Sequence, residues 1–172
     1  MTASVTAHFD YRLDVDEVVE TSLGISDDPT IVHDIDVSTA NDRGTLKSNT
    51  DTPVTKVASA SQVLTGGDVT IDLTALTGPC STSVDFTGLK VQLAKFCAST
   101  ANASAVKIQK GASNAYNVLA DDNTTADTLE IPPGGCVAIY HNDGSEDVSA
   151  TKKNVRFTGG TNETLFWILV AG

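Results

Sequence analysis

Basic residues, aromatic rings, cysteines and long apolar runs are all scarce in this chain, and each scarcity closes off a class of function. Only 11 of 172 residues are Lys or Arg, against 22 Asp and Glu, which leaves a formal net charge of -11. Gripping nucleic acid by its phosphates takes a basic face, and an anionic membrane surface asks for the same. Neither partner is expected. Aromatics make up 5% and there is one Trp, so exposed ring platforms for sugars are few. No apolar run approaches the roughly 18 residues of a membrane-spanning helix. The N-terminal MTASVTAHFDYR has no basic segment followed by an apolar one, so synthesis in the cytoplasm without a secretory signal is expected. There are three cysteines, Cys80, Cys97 and Cys136. Their number is odd, which rules out a full disulfide framework, and no CxxC or Cys/His pair has metal-ligand spacing. One bridge is allowed, and reduced, partly buried thiols are the default.

Catalytic and metal-binding patterns are missing as well. His8, His33 and His141 lie far apart and form neither HxH nor HExxH. No GxSxG elbow occurs. A dispersed glycosidase pair would leave no mark in sequence, but no two carboxylates stand out. Asp121-Asp122-Asn123 and Asp27-Asp28 gather hard oxygen ligands of the kind calcium takes. They do not follow the EF-hand spacing, and Asp and Asn also favour turns through their own hydrogen bonds. The reading is of a chain that is not an enzyme, needs no cofactor and holds no metal.

What is present is a β-former composition. Val, Ile and Thr are abundant, and their stiff χ1 suits a pleated sheet. From about Thr55, short apolar-polar runs alternate with turn signals: TKVASASQVL, DVTIDLTAL, VDFTGLKVQLAKFCAS, SAVKIQKG, AYNVLA, TLEI, CVAIYHN, KNVRFTGG and ETLFWILVAG. In DVTIDLTAL, Val69, Ile71 and Leu73 share one face. In KVQLAKF, Val91 and Leu93 carry the alternation, with Ala94 near a bend. In SAVKIQK, Val106 and Ile108 point inward. The pairs Gly66-Gly67, Gly134-Gly135 and Gly159-Gly160 sit between runs, as hairpin or bulge glycines do. Strand runs at this spacing, with no amphipathic helix among them, predict an all-β antiparallel sandwich over 55–172.

Residues 1–54 read differently. They hold Asp10, Asp14, Asp16, Glu17, Glu20, Asp27, Asp28, Asp34, Asp36 and Asp42. Phe9, Tyr11, Leu13 and Val15 alternate with polar residues, and a turn-rich stretch follows. This predicts an extended N-terminal arm with one or two short strands. Such an arm needs a surface to lie on, its own body or a neighbouring subunit.

The last strand, Leu165-Phe166-Trp167-Ile168-Leu169-Val170, is apolar without interruption. That predicts cover on both faces, either as a central strand of the sandwich or as a strand with the core on one side and a subunit interface on the other. Phe9 and Tyr11 of the arm are the other candidate interface residues. Tyr116 and Tyr140 are candidate ligand contacts if the sandwich binds a carbohydrate or a receptor.

From Val84 to Gly172 the order of motifs resembles small virion structural proteins of tailed phages and prophages. It runs from Phe86-Thr87-Gly88-Leu89-Lys90-Val91, through Ser99-Thr100-Ala101-Asn102, to Ile131-Pro132-Pro133-Gly134-Gly135 before Cys136–Tyr140. Asn154–Gly160 and the closing Leu169-Val170-Ala171-Gly172 complete it. Ala58–Gln62 followed by Val69–Thr74 is similar too. The resemblance implies a jelly-roll-like β-sandwich with no catalytic residues, found in the virion after synthesis in the host cytoplasm. It implies a many-copy capsid-decorating, minor capsid or tail-associated part. On that reading self-association as a closed homotrimer and docking to a major capsid or tail protein are expected.

Overall fold

Most of the apolar-polar runs from Thr55 onward form strands, and these close into two stacked sheets. The structure is a computed structural model. It describes residues 54–78, 83–119, 128–141 and 146–172 in full, and the backbone of 6–10, 14–18, 30–34 and 43–47. Four strands occupy the N-terminal region: β1 (Thr6–Asp10), β2 (Asp14–Val18), β3 (Thr30–Asp34) and β4 (Arg43–Lys47). β1 pairs with β4 and β2 with β3, so this region is richer in strands than the one or two expected. Residues 7–46 make one compact unit; residues 1–6 and 47–172 make the other.

The larger unit holds β5 (Lys56–Val63), β6 (Asp68–Asp72), β7 (Leu76–Thr77), β8 (Ser83–Val84), β9 (Val91–Ala98), β10 (Val106–Lys110), β11 (Thr128–Ile131), β12 (Cys136–Tyr140), β13 (Asn154–Thr158) and β14 (Thr164–Ala171). One sheet has the order β12-β9-β14-β5, the other β11-β10-β13-β6. Leaving aside the small β7–β8 hairpin and numbering the other eight in chain order, the sheets read 6-3-8-1 and 5-4-7-2. Consecutive strands therefore pass between sheets in several places, which is the jelly-roll arrangement. All strand pairings within these two sheets are antiparallel.

The core lies between the sheets. Phe96, Leu165, Trp167 and Leu169 enter it from one side, and Ile71, Val106, Ile108, Val155 and Phe157 from the other. Phe96 and Phe157 meet across the gap with ring centroids 5.2 Å apart and tilted by 56°, a favoured geometry for aromatic pairs. Val106 and Ile108 point inward as their alternation predicts, and so do Ile71 and Leu73.

Three local readings are corrected. In β9 it is Ala94, Phe96 and Ala98 that face the core, while Leu93 is only half-buried. The register against β14 slips between Val170 and Ala171, and that irregularity shifts the phase of the alternation. The AYNVLA run is not a strand over 115–119: it is a bridge and a turn whose Tyr116 and Val118 plug the core. The thiols of Cys97 and Cys136 are joined, with Cα atoms 4.1 Å apart. They are cross-strand partners in the β9–β12 register, a proximity that a 39-residue spacing does not announce.

The turns follow their glycines. Gly66 and Gly67 adopt positive φ between β5 and β6. A side chain on Gly67 would meet the Gly159 carbonyl oxygen at 2.6 Å, so that turn admits only glycine there.

Candidate functional site

The two sheets turn different chemistry outward, and that contrast locates the candidate site. On the β12-β9-β14-β5 sheet, cross-strand register aligns the outward side chains in rows. Tyr140, Leu93, Val170 and Val57 form one row; Ala138, Lys95, Ile168 and Ser59 the next; Cys136, Cys97, Phe166 and Ser61 the third. Thr164 and Val63 follow. None of the four strands contains Asp or Glu, and their only charges are Lys56 and Lys95. The exposed large apolar side chains are Val63 at 45%, Phe166 at 47% and Ile168 at 43%. All three lie on β5 and β14, beside the small Ser59 and Ser61 that leave their flanks open.

The opposite sheet carries Asp68, Asp72, Lys107, Gln109, Glu130 and Arg156 outward. The charged groups among them are paired. Arg156 donates from two nitrogens to Asp68. The Lys153 ammonium lies 2.6 Å from Asp72, and Lys107 and Glu130 lie 3.9 Å apart. Burial pushes the Asp72 carboxyl up, but hydrogen bonds from Lys153 and from the hydroxyl and amide of Thr74 outweigh it and hold it below its ordinary value. Hydrogen bonding to Asp68 holds the Arg156 guanidinium above its usual range. This is a solvated, charge-laced face.

The terminal strand is positioned by a polar clasp at its start. Glu163 is buried, and its carboxylate accepts hydrogen bonds from the Ala103 amide at 3.1 Å and from the Ser104 amide and hydroxyl at 2.8 Å. The Asn102 side chain donates to the Thr164 carbonyl at 3.0 Å and accepts from the Thr164 amide at 2.8 Å. The carboxamide thus stands in for a strand neighbour at the point where β14 begins.

The candidate residues from sequence separate clearly. Leu165, Trp167, Leu169 and Val170 are buried within this chain, so they cannot form a subunit interface as they stand. Phe166 and Ile168 are exposed. Continuous apolarity thus gives a strand covered on its core side and half open on its outer side. Phe9 lies on β1, and its side chain is not described; Tyr11 falls outside the described residues. Tyr116 is not a ligand contact. It is fully buried, accepts from the Val91 amide at 3.0 Å and donates to the Glu146 carbonyl at 2.9 Å. Tyr140 is half-buried on the outer face opposite Leu93. The exposed Val63 and the Cys97–Cys136 pair were not singled out from sequence. The signal for Val63 was its outward parity with Ser59 and Ser61 on β5.

The two acidic clusters at 27–28 and 121–123 lie outside the described residues. Among the described residues no three His, Cys, Asp or Glu side chains gather as metal ligands. His141 sits at the end of β12 with its Nε2 3.4 Å from the Val118 carbonyl. Comparison with protein-family models, with curated proteins and with solved structures returned no match.

Proposed function

We propose that this chain is a structural protein of a tailed-phage or prophage particle, present in many copies, that acts by self-association and docking rather than by catalysis. It takes its place in the virion after synthesis in the host cytoplasm, as a capsid-decorating, minor capsid or tail component. The observation that carries the reading is the outer face of the β12-β9-β14-β5 sheet. In a chain of net charge -11 this sheet has no carboxylate, and it presents Val63, Phe166 and Ile168 to solvent. Acidic copies repel one another wherever carboxylates meet, so contact is least opposed here. Burying those three side chains on a partner supplies the apolar driving force.

Two further features support it. Jelly rolls recur in viral capsid domains, and also in lectins and cupins. The Cys97–Cys136 disulfide suits a protein that works outside a reducing cytoplasm, as a released particle does. The alternative of a carbohydrate- or receptor-binding module loses one of its two candidate ring contacts, because Tyr116 is in the core.

The test is to purify particles from lysed cultures of the cells that encode the chain and label them with an antibody against it. Regularly spaced labelling on particles is the expected result. Finding the chain only in the soluble fraction, with bare particles, overturns the proposal.

A further inference from the structure

Each sheet ends in two edge strands, and an edge offers unpaired N–H and C=O groups to any strand that can reach it. Three of the four edges carry guards. β6 is five residues long with Asp at both ends, and β11 is four residues long with Glu130 in it and Pro132 directly after it. β12 is five residues long, follows Pro132-Pro133, and is bonded to β9 through Cys136. β5 differs from all three. It has eight residues, KVASASQV, with no Pro, no Gly, no carboxylate and a single Lys at one end. Its one strand partner among the described residues is β14. The β7–β8 hairpin lies nearby, and Lys56 donates to the Asp85 carbonyl, but no ladder joins the hairpin to β5.

The polarity of the β5 backbone is fixed. The Leu64 amide bonds to the Glu163 carbonyl at 2.8 Å. Thr164, opposite Val63, gives its carbonyl to Ser99 and its amide to Asn102 on the far side. By alternation along an antiparallel pair, Val63, Ser61, Ser59 and Val57 turn their N–H and C=O groups toward the open edge. Those same residues carry their side chains on the outer face.

The strand also matches itself. Turned about Ala60 and laid antiparallel to a second copy, β5 sets Val57 against Val63 and Ser59 against Ser61. β-Branched pairs and hydroxyl pairs are both favourable directly opposite one another. Lys56 of one copy falls beside Leu64 of the other, so like charges do not meet. The pairing joins two four-stranded sheets into one of eight, with the Val63, Phe166 and Ile168 patches on a single outer surface.

We propose that a second copy of this chain pairs along β5, antiparallel and centred on Ala60, through a two-fold axis normal to the sheet. The inference rests on the self-association reading above and specifies its geometry. It makes even-numbered assemblies: a dimer, or a hexamer where it links two trimers.

Two measurements on the full chain test it. In the first, sedimentation equilibrium compares the native protein with a Ser59→Lys/Ser61→Lys double variant. The pairing sets these lysines against each other, and like charges directly opposed weaken the contact by about 100-fold or more. The expected result is an even-numbered native assembly and a variant of half its mass with an unchanged circular dichroism spectrum. Thr70→Lys, on the exposed strand of the other sheet, is the control and keeps the native mass. In the second, amide exchange is followed in the native protein at high and low concentration. The amides of Val57, Ser59, Ser61 and Val63 exchange more slowly in the assembled state. Equal exchange at these four amides overturns the pairing. If association also survives the double lysine variant but is lost in Phe166→Ser/Ile168→Ser, the pairing fails while face docking stands. A native protein that is monomeric at every concentration overturns both.

Discussion

The two sheets share one core and present opposite faces to the outside. The face of β11-β10-β13-β6 alternates charges that find partners within the chain, Asp68 with Arg156 and Asp72 with Lys153. The face of β12-β9-β14-β5 has no acid at all and leaves Phe166 and Ile168 nearly half exposed. One face satisfies its charges within the chain; the other leaves large apolar side chains in water. The difference is also visible within single strands. β14 hides Leu165, Trp167 and Leu169 and shows Phe166 and Ile168, while β13 hides Val155 and Phe157 and shows Arg156.

Substitutions on the two sides of the apolar sheet sharpen the contrast most. Phe96 is fully buried, and Phe96→Ala is expected to cost about 3–5 kcal/mol in denaturant unfolding. Phe166→Ala, on the next strand but facing outward, is expected to cost under about 1 kcal/mol in the same experiment. Equal losses would erase the distinction between inner and outer positions. Reducing the Cys97–Cys136 bridge, which closes a separation of 39 residues, is expected to lower stability by roughly 4 kcal/mol, read as a drop in Tm on adding a thiol reductant. Glu163→Ala leaves the Ala103 and Ser104 donors without their carboxylate and should cost about 2–3 kcal/mol. Glu163→Gln keeps an acceptor and should recover part of it.

Association separates the two faces next. Phe166→Ser with Ile168→Ser is expected to weaken self-association about 30-fold, or about 2 kcal/mol, with little change in unfolding. Arg156→Ser on the other face should leave association as it was. The smallest effect concerns acid. The folded Asp72 carboxyl titrates below its ordinary value of 3.8, so its contribution is full above that pH and fades as the pH falls through the folded value. With both partners partly exposed, the loss is under about 1 kcal/mol, and Asp72→Asn should flatten the acid limb of a stability-against-pH curve by that amount.

Much of the fold could be read from the residues because period-two alternation reports burial directly. Val69-Ile71-Leu73 and Val106-Ile108 behaved accordingly. β9 did not, since the slip opposite Val170 and Ala171 shifts its phase, and a register irregularity is set by tertiary pairing. Tyr116 reads from the sequence as a candidate ligand contact, yet it is buried and its hydroxyl finds Val91 and Glu146, both distant in sequence. The site was half legible. The apolarity of β14 pointed to it, but exposure of Phe166 and burial of Trp167 depend on which side the core lies. That β5 is an edge strand, with β14 its one strand partner among the described residues, needed the sheet order, which alternation does not give.

Side-chain footprinting of the protein at associating and dissociating concentrations, by carbene or hydroxyl-radical labelling, tests the proposed docking face most directly. Phe166, Ile168 and Val63 should be shielded relative to dissociated protein, while Thr70, Gln109 and Arg156 label equally in both states. Shielding of the charged face, with Phe166 and Ile168 still fully labelled, would contradict the account.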